Sequence, residues 1–381
     1  MSVVIPLLLG IFILGFLVLI HEAGHFLTAR AFGVRVLEFG IGFPFLGRIF
    51  KFKRKGTVYS VNWLLFGGFV QLYGEEAGSS KDPDSFASKN VWVRFTIAAA
   101  GIVVNIVFAI LLFTILMATS HYKVDFPNTI PNKFPLGNTR EYVMIVNVDK
   151  DSPASFAGLK LGDKIQTMNG QKFTDIKEVQ SYVLSHKGQP ITLVVENSTS
   201  QTTREAIVVP RVNPPAGKGS LGVSLDSGQT LSYDTPFDRV FVGVEHSINM
   251  VEYQVAGLKT FISKSVAEKS IEPLASQASG PVRIIAVLGF LVQNSGSELL
   301  RVIATFTALI SLMLGIGNLL PIPALDGGRL AFFLIEGLTG HKVKPRVENL
   351  IHGIGFVVLL FLLVLITAND IFRVFTGHIF G

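Results

Sequence analysis

The sequence predicts a polytopic α-helical membrane protein with four transmembrane helices, a membrane-associated β-hairpin and one inserted α+β module. Three observations predict it. Hydrophobic residues make up 49% of the 381 residues and charged residues 16%, with a mean hydropathy of +0.50, which is too apolar for an ordinary soluble chain. The apolar residues gather in four runs, each close to the roughly 20 residues a helix needs to cross a bilayer. The stretch between the second and third runs alternates apolar and polar residues between turn signals, as short strands do.

The first run extends from about Val3 to Thr28, and Val3 to Ile20 is 18 residues without a charged, amide or hydroxyl side chain. A secretory signal would start with basic residues and end at a small-residue cleavage site. Met1-Ser2 carries no Lys or Arg and no such site follows, so the run reads as a retained span. It leads into His21-Glu22-Ala23-Gly24-His25. On a helix His21 and His25 leave one face a turn apart. Both imidazoles can then bind one Zn²⁺, and Glu22 beside them can act as general base on a metal-bound water. Ionisable groups are costly in hydrocarbon and mark function there. The chain has no Cys, which excludes disulfides and thiolate ligands, so a metal must be held by His and carboxylate.

The next segment, 31–93, carries a hairpin pattern. Phe50 and Phe52 alternate with Lys51 and Lys53, Lys55-Gly56 offers a turn, and Thr57 to Val61 reads as the return strand. Trp63 to Val70, broken by Gly67-Gly68, heads back toward the membrane. An exposed strand edge there could pair with an unwound peptide segment. The second span is about Phe95 to Ala118 and contains Asn105. The third is about Val302 to Leu320 and the fourth about Ile351 to Ala368. Ile284 to Val292 is too short to cross and reads as an interfacial or buried helix.

Basic residues orient these spans. Arg35, Arg48, Lys51, Lys53, Arg54, Lys55, Lys81 and Lys89 lie between the first two spans, and Arg329, Lys342, Lys344 and Arg346 follow the third. The positive-inside rule puts both loops in the cytoplasm and both termini and residues 119–298 outside. The net charge of +6 is thereby explained by topology, with no nucleic-acid partner. His21 lies roughly 27 Å along the first helix, in a core about 30 Å thick, hence in the cytoplasmic half of the membrane.

A catalytic zinc needs a third protein ligand. The other acidic motif joined to a span is Asn318-Leu-Leu-Pro321-Ile-Pro323-Ala-Leu325-Asp326-Gly327-Gly328, at the same end of the third span. Its prolines stop a helix and its glycines permit close backbone approach, so Asp326 is expected on irregular backbone lining a cavity. A metal-conducting transporter would call for an inverted repeat, and none is visible.

HExxH in a first span and NxxPxPxLDGG ending a later one resemble the site-2 protease family of intramembrane zinc metalloproteases, in its bacterial stress-response branch. The resemblance covers nearly the whole chain. It implies His21, His25 and Asp326 as zinc ligands, Glu22 as catalytic base, Asn318 as a residue that contacts substrate backbone, and a multi-pass place in the bacterial inner membrane. Gly101-Ile-Val-Val-Asn105 is similar to the family's Gly-Pro-x-x-Asn element, with Ile102 in place of Pro, and adds Asn105 to the substrate-binding set. Ser279-Gly280-Pro281-Val282 resembles a further element, with Arg283 where Gly is common. The implied substrates are single-span membrane proteins already trimmed outside, such as anti-sigma factors or signal-peptide remnants, met in a setting of membrane lipid.

Residues 141–210 read as the inserted module. Strands are expected at 143–148, 191–195 and 205–209 and a strand followed by a turn over 162–170, with helices beginning near Asp151 and spanning 175–185. The pattern SPAxxAGLxxGDxIxxxNG, from Ser152 to Gly170, resembles a bacterial PDZ domain. That implies a groove between Met144–Val148 and Ile176–Tyr182 for a peptide or substrate tail. Gln229 to Asp234 looks turn-like, and an amphipathic helix follows from Pro236 to about Ala267, with apolar residues at steps of three and four. The expected segments are thus 1–30, 31–93, 94–120, 121–215 for the PDZ module, 216–298, 299–330 and 331–381.

Overall fold

The computed structural model describes residues 4–75, 82–197, 202–215, 217–270, 272–273 and 280–375. The chain forms two compact units, Met1–Leu116 with Phe261–Gly381, and Met117–Thr260. Among the described residues four helices are long and apolar enough to cross a membrane: Ile5–Ala31, Val91–Thr119, Gly296–Leu319 and Arg346–Arg373.

The first unit holds α1 (Val4–Ala31), α2 (Val91–Thr119), α6 (Pro281–Asn294), α7 (Leu299–Leu319), α8 (Asp326–Thr339) and α9 (Pro345–Phe375). The short apolar run at 284–292 is α6, and it is partly buried, with Leu288 and Gly289 buried and Phe290 exposed. Its Leu288 packs with Ile13 and Leu17 of α1, beside Phe108 and Ile310. Gly280 gives α6 no side-chain cap. Asp370 of α9 supplies one instead, accepting the Arg283 N–H at 2.9 Å, the bond a local Ser or Asp would otherwise make. Ser279 lies outside the described residues. α2 runs unbroken through Ile102, which is buried with Ile97, Leu330 and Phe333. α7 approaches α2 through small residues: the Ser311 hydroxyl donates to the Asn105 carbonyl at 2.8 Å. A Cβ at Gly315 would lie 2.7 Å from Ile106. Without a hydrophobic drive in lipid, such close contacts hold helices together.

The hairpin is β1 (Val36–Arg54) and β2 (Thr57–Leu72). It is longer than the sequence suggests, and it folds back on itself. Glu38 pairs with both Gln71 and Val58, and Ile41 with both Gly68 and Val61, while Phe50 to Arg54 pair with Val61 to Thr57. Among the described residues, 38–41 therefore have a neighbour on each side, and 68–72 only on one.

The second unit contains a six-stranded sheet of order β3-β8-β4-β5-β6-β7. Its strands are β3 (Lys123–Pro127), β4 (Asn138–Val148), β5 (Asp163–Met168), β6 (Ile191–Asn197), β7 (Thr203–Val208) and β8 (Val223–Ser232). The short helix α3 (Pro153–Phe156) and α4 (Ile176–Ser185) complete the core, where Val143, Ile165, Met168, Val179, Ile191 and Leu193 are buried. Ser152 and Asp175 cap the two helices through their side chains, as short polar residues do at that position.

Two expectations fail here. Gln229 to Ser232 is strand, part of β8, which pairs with β3 on one side and β4 on the other. Backbone pairing with two distant strands overrides its polar composition. The strand beside α4 is also β8, not β4. β4 pairs with β8 along Asn138–Val148 and with β5 at Val143 and Met144. α5 (Pro236–Ala267) is the expected amphipathic helix. From α5, Asn249 donates to the Tyr233 hydroxyl, which faces His246 Nδ1, both at 3.0 Å.

Candidate metal centre

α1 delivers His21 and His25 as one face of a helix, and α8 delivers Asp326. The three ligand atoms meet: His21 Nε2 and Asp326 Oδ2 are 2.9 Å apart, His25 Nε2 and Asp326 Oδ2 3.2 Å, and the two Nε2 atoms 3.2 Å. Donors about 2.0 Å from one tetrahedral zinc lie roughly 3.3 Å from one another, so this donor set fits the ion. Among the described residues it is the one such His and carboxylate group.

The surroundings prepare both rings. His25 Nδ1 lies 2.8 Å from the Ile97 carbonyl. That carbonyl can only accept, so the proton sits on Nδ1 and the Nε2 lone pair is left for a metal. Asn105, buried on α2, puts its side-chain amide 3.4 Å from His21 Nδ1. Its Oδ1 has no partner in the same orientation. Turning the amide over, an assignment made from the hydrogen-bond network, lets Oδ1 accept the His21 Nδ1 proton and fixes the second ring in the same tautomer. Space for the rings comes from glycine. A Cβ on Gly101 would stand 2.4 Å from His25 Nε2 and 2.8 Å from His21 Nε2, and one on Gly24 would stand 2.7 Å from the Ala100 carbonyl.

Asp326 is not on irregular backbone. It is the first residue of α8, and the irregular stretch is the one before it, which ends at the extended Leu325. Pro321 and Pro323 stop α7, and a carboxylate in the first turn is favoured by the unsatisfied N–H groups there. Gly327 and Gly328 are required by contact: added Cβ atoms would lie 2.1 Å from the Leu320 carbonyl and 2.6 Å from that of Ile322. Ala324 adopts φ +76°, unusual for a residue with a side chain. Its N–H donates to His352 Nδ1 of α9 at 2.9 Å. Arg329, one turn after Asp326, pairs with Glu75 beyond β2.

Glu22 comes about 100° round the helix from His21 and about 60° from His25. Its Cγ faces Gly68 of β2, where an added Cβ would be 3.0 Å away. Asn318 is half-buried on the last turn of α7, and its side chain makes no hydrogen bond among the described residues. Sequence reasoning missed His352, Arg329 and Glu75 as supports of Asp326. An ionisable residue inside the fourth apolar run was the available signal for His352.

A model of "Peptidase family M50" matches residues 9–362. Over 365 residues the chain is 30% identical to a provisionally named zinc metalloprotease of Clostridium acetobutylicum, covering 96% of this chain and 97% of that one. A protein of the same provisional name from Fusobacterium nucleatum is 32% identical over 97% of this chain and 99% of its own length. The zinc metalloprotease RasP of Geobacillus kaustophilus is 26% identical over 96% and 97%.

Proposed function

The chain belongs to peptidase family M50, the site-2 protease family, and from that premise we propose that this zinc metalloendopeptidase cuts single-span membrane proteins within the bilayer. His21, His25 and Asp326 are the zinc ligands and Glu22 is the proton carrier. The observation that carries the reading is the convergence of three donor atoms, contributed by α1 and α8, between helices of membrane-spanning length.

Zinc held there supplies a Lewis acid for the scissile carbonyl and lowers the pKa of water. Glu22 takes the proton from the attacking water and passes it to the leaving amine. The substrate must be extended to reach it, because a helical peptide buries its own carbonyls. Gly68, beside Glu22, belongs to the part of β2 that is paired on one side only. Its open edge can take an unwound segment by backbone pairing. Asn318 grips that backbone, and Asn105 orients His21. Trimmed remnants of signal peptides or anti-sigma factors are substrates of the required form.

The second unit is an extracytoplasmic PDZ module of an inner-membrane protein. Its groove lies between α4 and Val223–Asp226 of β8, the part of that strand that β3 leaves unpaired. That edge suits an extended peptide tail.

Two experiments test the reading. Purified protein should cleave a single-span substrate, and Glu22→Gln should abolish cleavage while zinc stays near one per chain; wild-type cleavage by Glu22→Gln would sink the mechanism. In the Cys-free chain, a Cys at Asn169 should be labelled from outside and one at Lys55 should not, and the reverse pattern would invert the topology.

A further inference from the structure

Several arginines near the hairpin are matched with carboxylates. Arg35 pairs with Asp84, Arg48 with Glu38, and Arg94 with Glu336. Arg54 has no carboxylate partner among the described residues, and neither do Arg30 and Lys55. These three unpaired cations line one cavity of about 280 Å³, together with the rings of Phe52 and Tyr59. The cavity is built from two elements. Arg30 comes from the last turn of α1, where its guanidinium lies 5.5 Å from the Phe26 ring centre. Arg54 and Lys55 come from the hairpin tip, whose turn is fixed by positive φ at Lys55 (49°) and Gly56 (85°), the form that matches strand twist. Phe52 and Tyr59 stack with centres 5.0 Å apart and planes at 13°, making a rigid wall.

We infer that this cavity is a binding site for a phosphate group, and that its occupant is the headgroup of an anionic lipid. Convergent cations without a counter-ion repel one another, and a phosphate relieves that repulsion through charge-assisted hydrogen bonds to arginine. The place favours a lipid as its source. Arg30 stands at the end of a membrane-length helix, on the side where basic loops meet the anionic leaflet, and the aromatic wall can carry the glycerol and upper acyl carbons. Bound there, the lipid ties the hairpin tip to the end of α1, and so holds β2 at a set depth relative to the histidines roughly one and a half to two and a half turns away.

The test uses the full chain with an environment-sensitive fluorophore on Lys53→Cys, in neutral detergent. Phosphatidylglycerol should give a saturable signal that phosphatidylcholine does not. Arg54→Gln/Lys55→Gln should weaken it about tenfold or more, whereas Lys342→Gln/Lys344→Gln, which removes the same charge elsewhere, should leave it unchanged. Saturation by inorganic phosphate alone, with the same sensitivity to Arg54 and Lys55, would keep the phosphate site but assign it to a soluble ester. Equal weakening by both double variants, or no saturation by either probe, would overturn the inference. The single variants Arg54→Gln and Lys55→Gln decide the point if the double variant does not retain its zinc.

Discussion

Two buried histidine clusters occupy the two units, and their difference separates a site from a brace. In the second unit His246 faces the Tyr233 hydroxyl, Tyr233 accepts from Asn249, and Asn249 closes onto the Leu136 backbone through both its amide atoms. Each polar group answers another, so the cluster clamps α5 to the end of β8 and offers nothing to a ligand. In the first unit, by contrast, three acceptors point at one another. His21 Nε2, His25 Nε2 and Asp326 Oδ2 crowd together while the outer nitrogen of His25 is tied to backbone. Such a group is stable only when a proton or a cation sits among its lone pairs. A buried histidine is therefore judged by where its lone pairs point, not by its burial.

The comparison can be broken most directly at the ligands. His21→Ala, His25→Ala or Asp326→Ala should take zinc well below one per chain by metal analysis, since two protein ligands hold it far less well than three. His246→Ala should leave zinc in place. Full zinc retention by the Asp326 variant would remove it from the ligand set.

Gly101→Ala is the next largest effect. Its methyl would enter the space of both Nε2 atoms, so zinc content and cleavage should both collapse. Gly15→Ala on α1 meets nothing within 4 Å and should be neutral or stabilising, because alanine favours a helix by about 1 kcal/mol. Equal behaviour of the two variants would mean that close packing at Gly101 does not shape the centre.

The closed cluster should titrate with stability. Burial lowers the pKa of His246 to about 4 from an ordinary 6.5. The folded unit then binds fewer protons than the unfolded one between these values. Stability is complete above pH 6.5 and is lost as pH falls toward 4, by about 3 kcal/mol in all. Burial also raises Glu245, which acts in the opposite sense, so the measurement is the difference made by His246→Asn. Hydrogen exchange of the β8 amides in the full chain should show a steeper acid loss in wild type than in that variant. Identical slopes would mean His246 does not titrate as buried.

The smallest expected effect is at Asn318. Asn318→Ala should slow cleavage about five- to a hundred-fold, the worth of roughly 1–3 kcal/mol for one hydrogen bond in a dry site, with zinc still near one. A helix-breaking residue in the substrate's span should recover part of the loss. Loss of zinc instead would make Asn318 a support for the Asp326 segment.

What the sequence determined by itself is local. Four apolar runs set the spans, the i and i+4 spacing put His21 and His25 on one face, and the Asp326-Gly327-Gly328 motif announced close backbone packing. These follow from helix rise, helix period and the absence of a Cβ, each legible within a few residues. Strands β4 to β7 and helix α4 were visible for the same reason, through alternation and capping residues. The tertiary structure alone decided that Asp326 opens a helix, that His352 holds Ala324 from α9, that Asp370 caps α6, and that β8, polar in composition, sits inside the sheet. It also decided that, among the described residues, β2 is paired on one side only at Gly68 and Arg54 has no carboxylate partner beside Arg30. In each case a backbone or charged group is satisfied, or left unsatisfied, by a segment far away in sequence, and such pairings leave no periodic trace in the residues that make them.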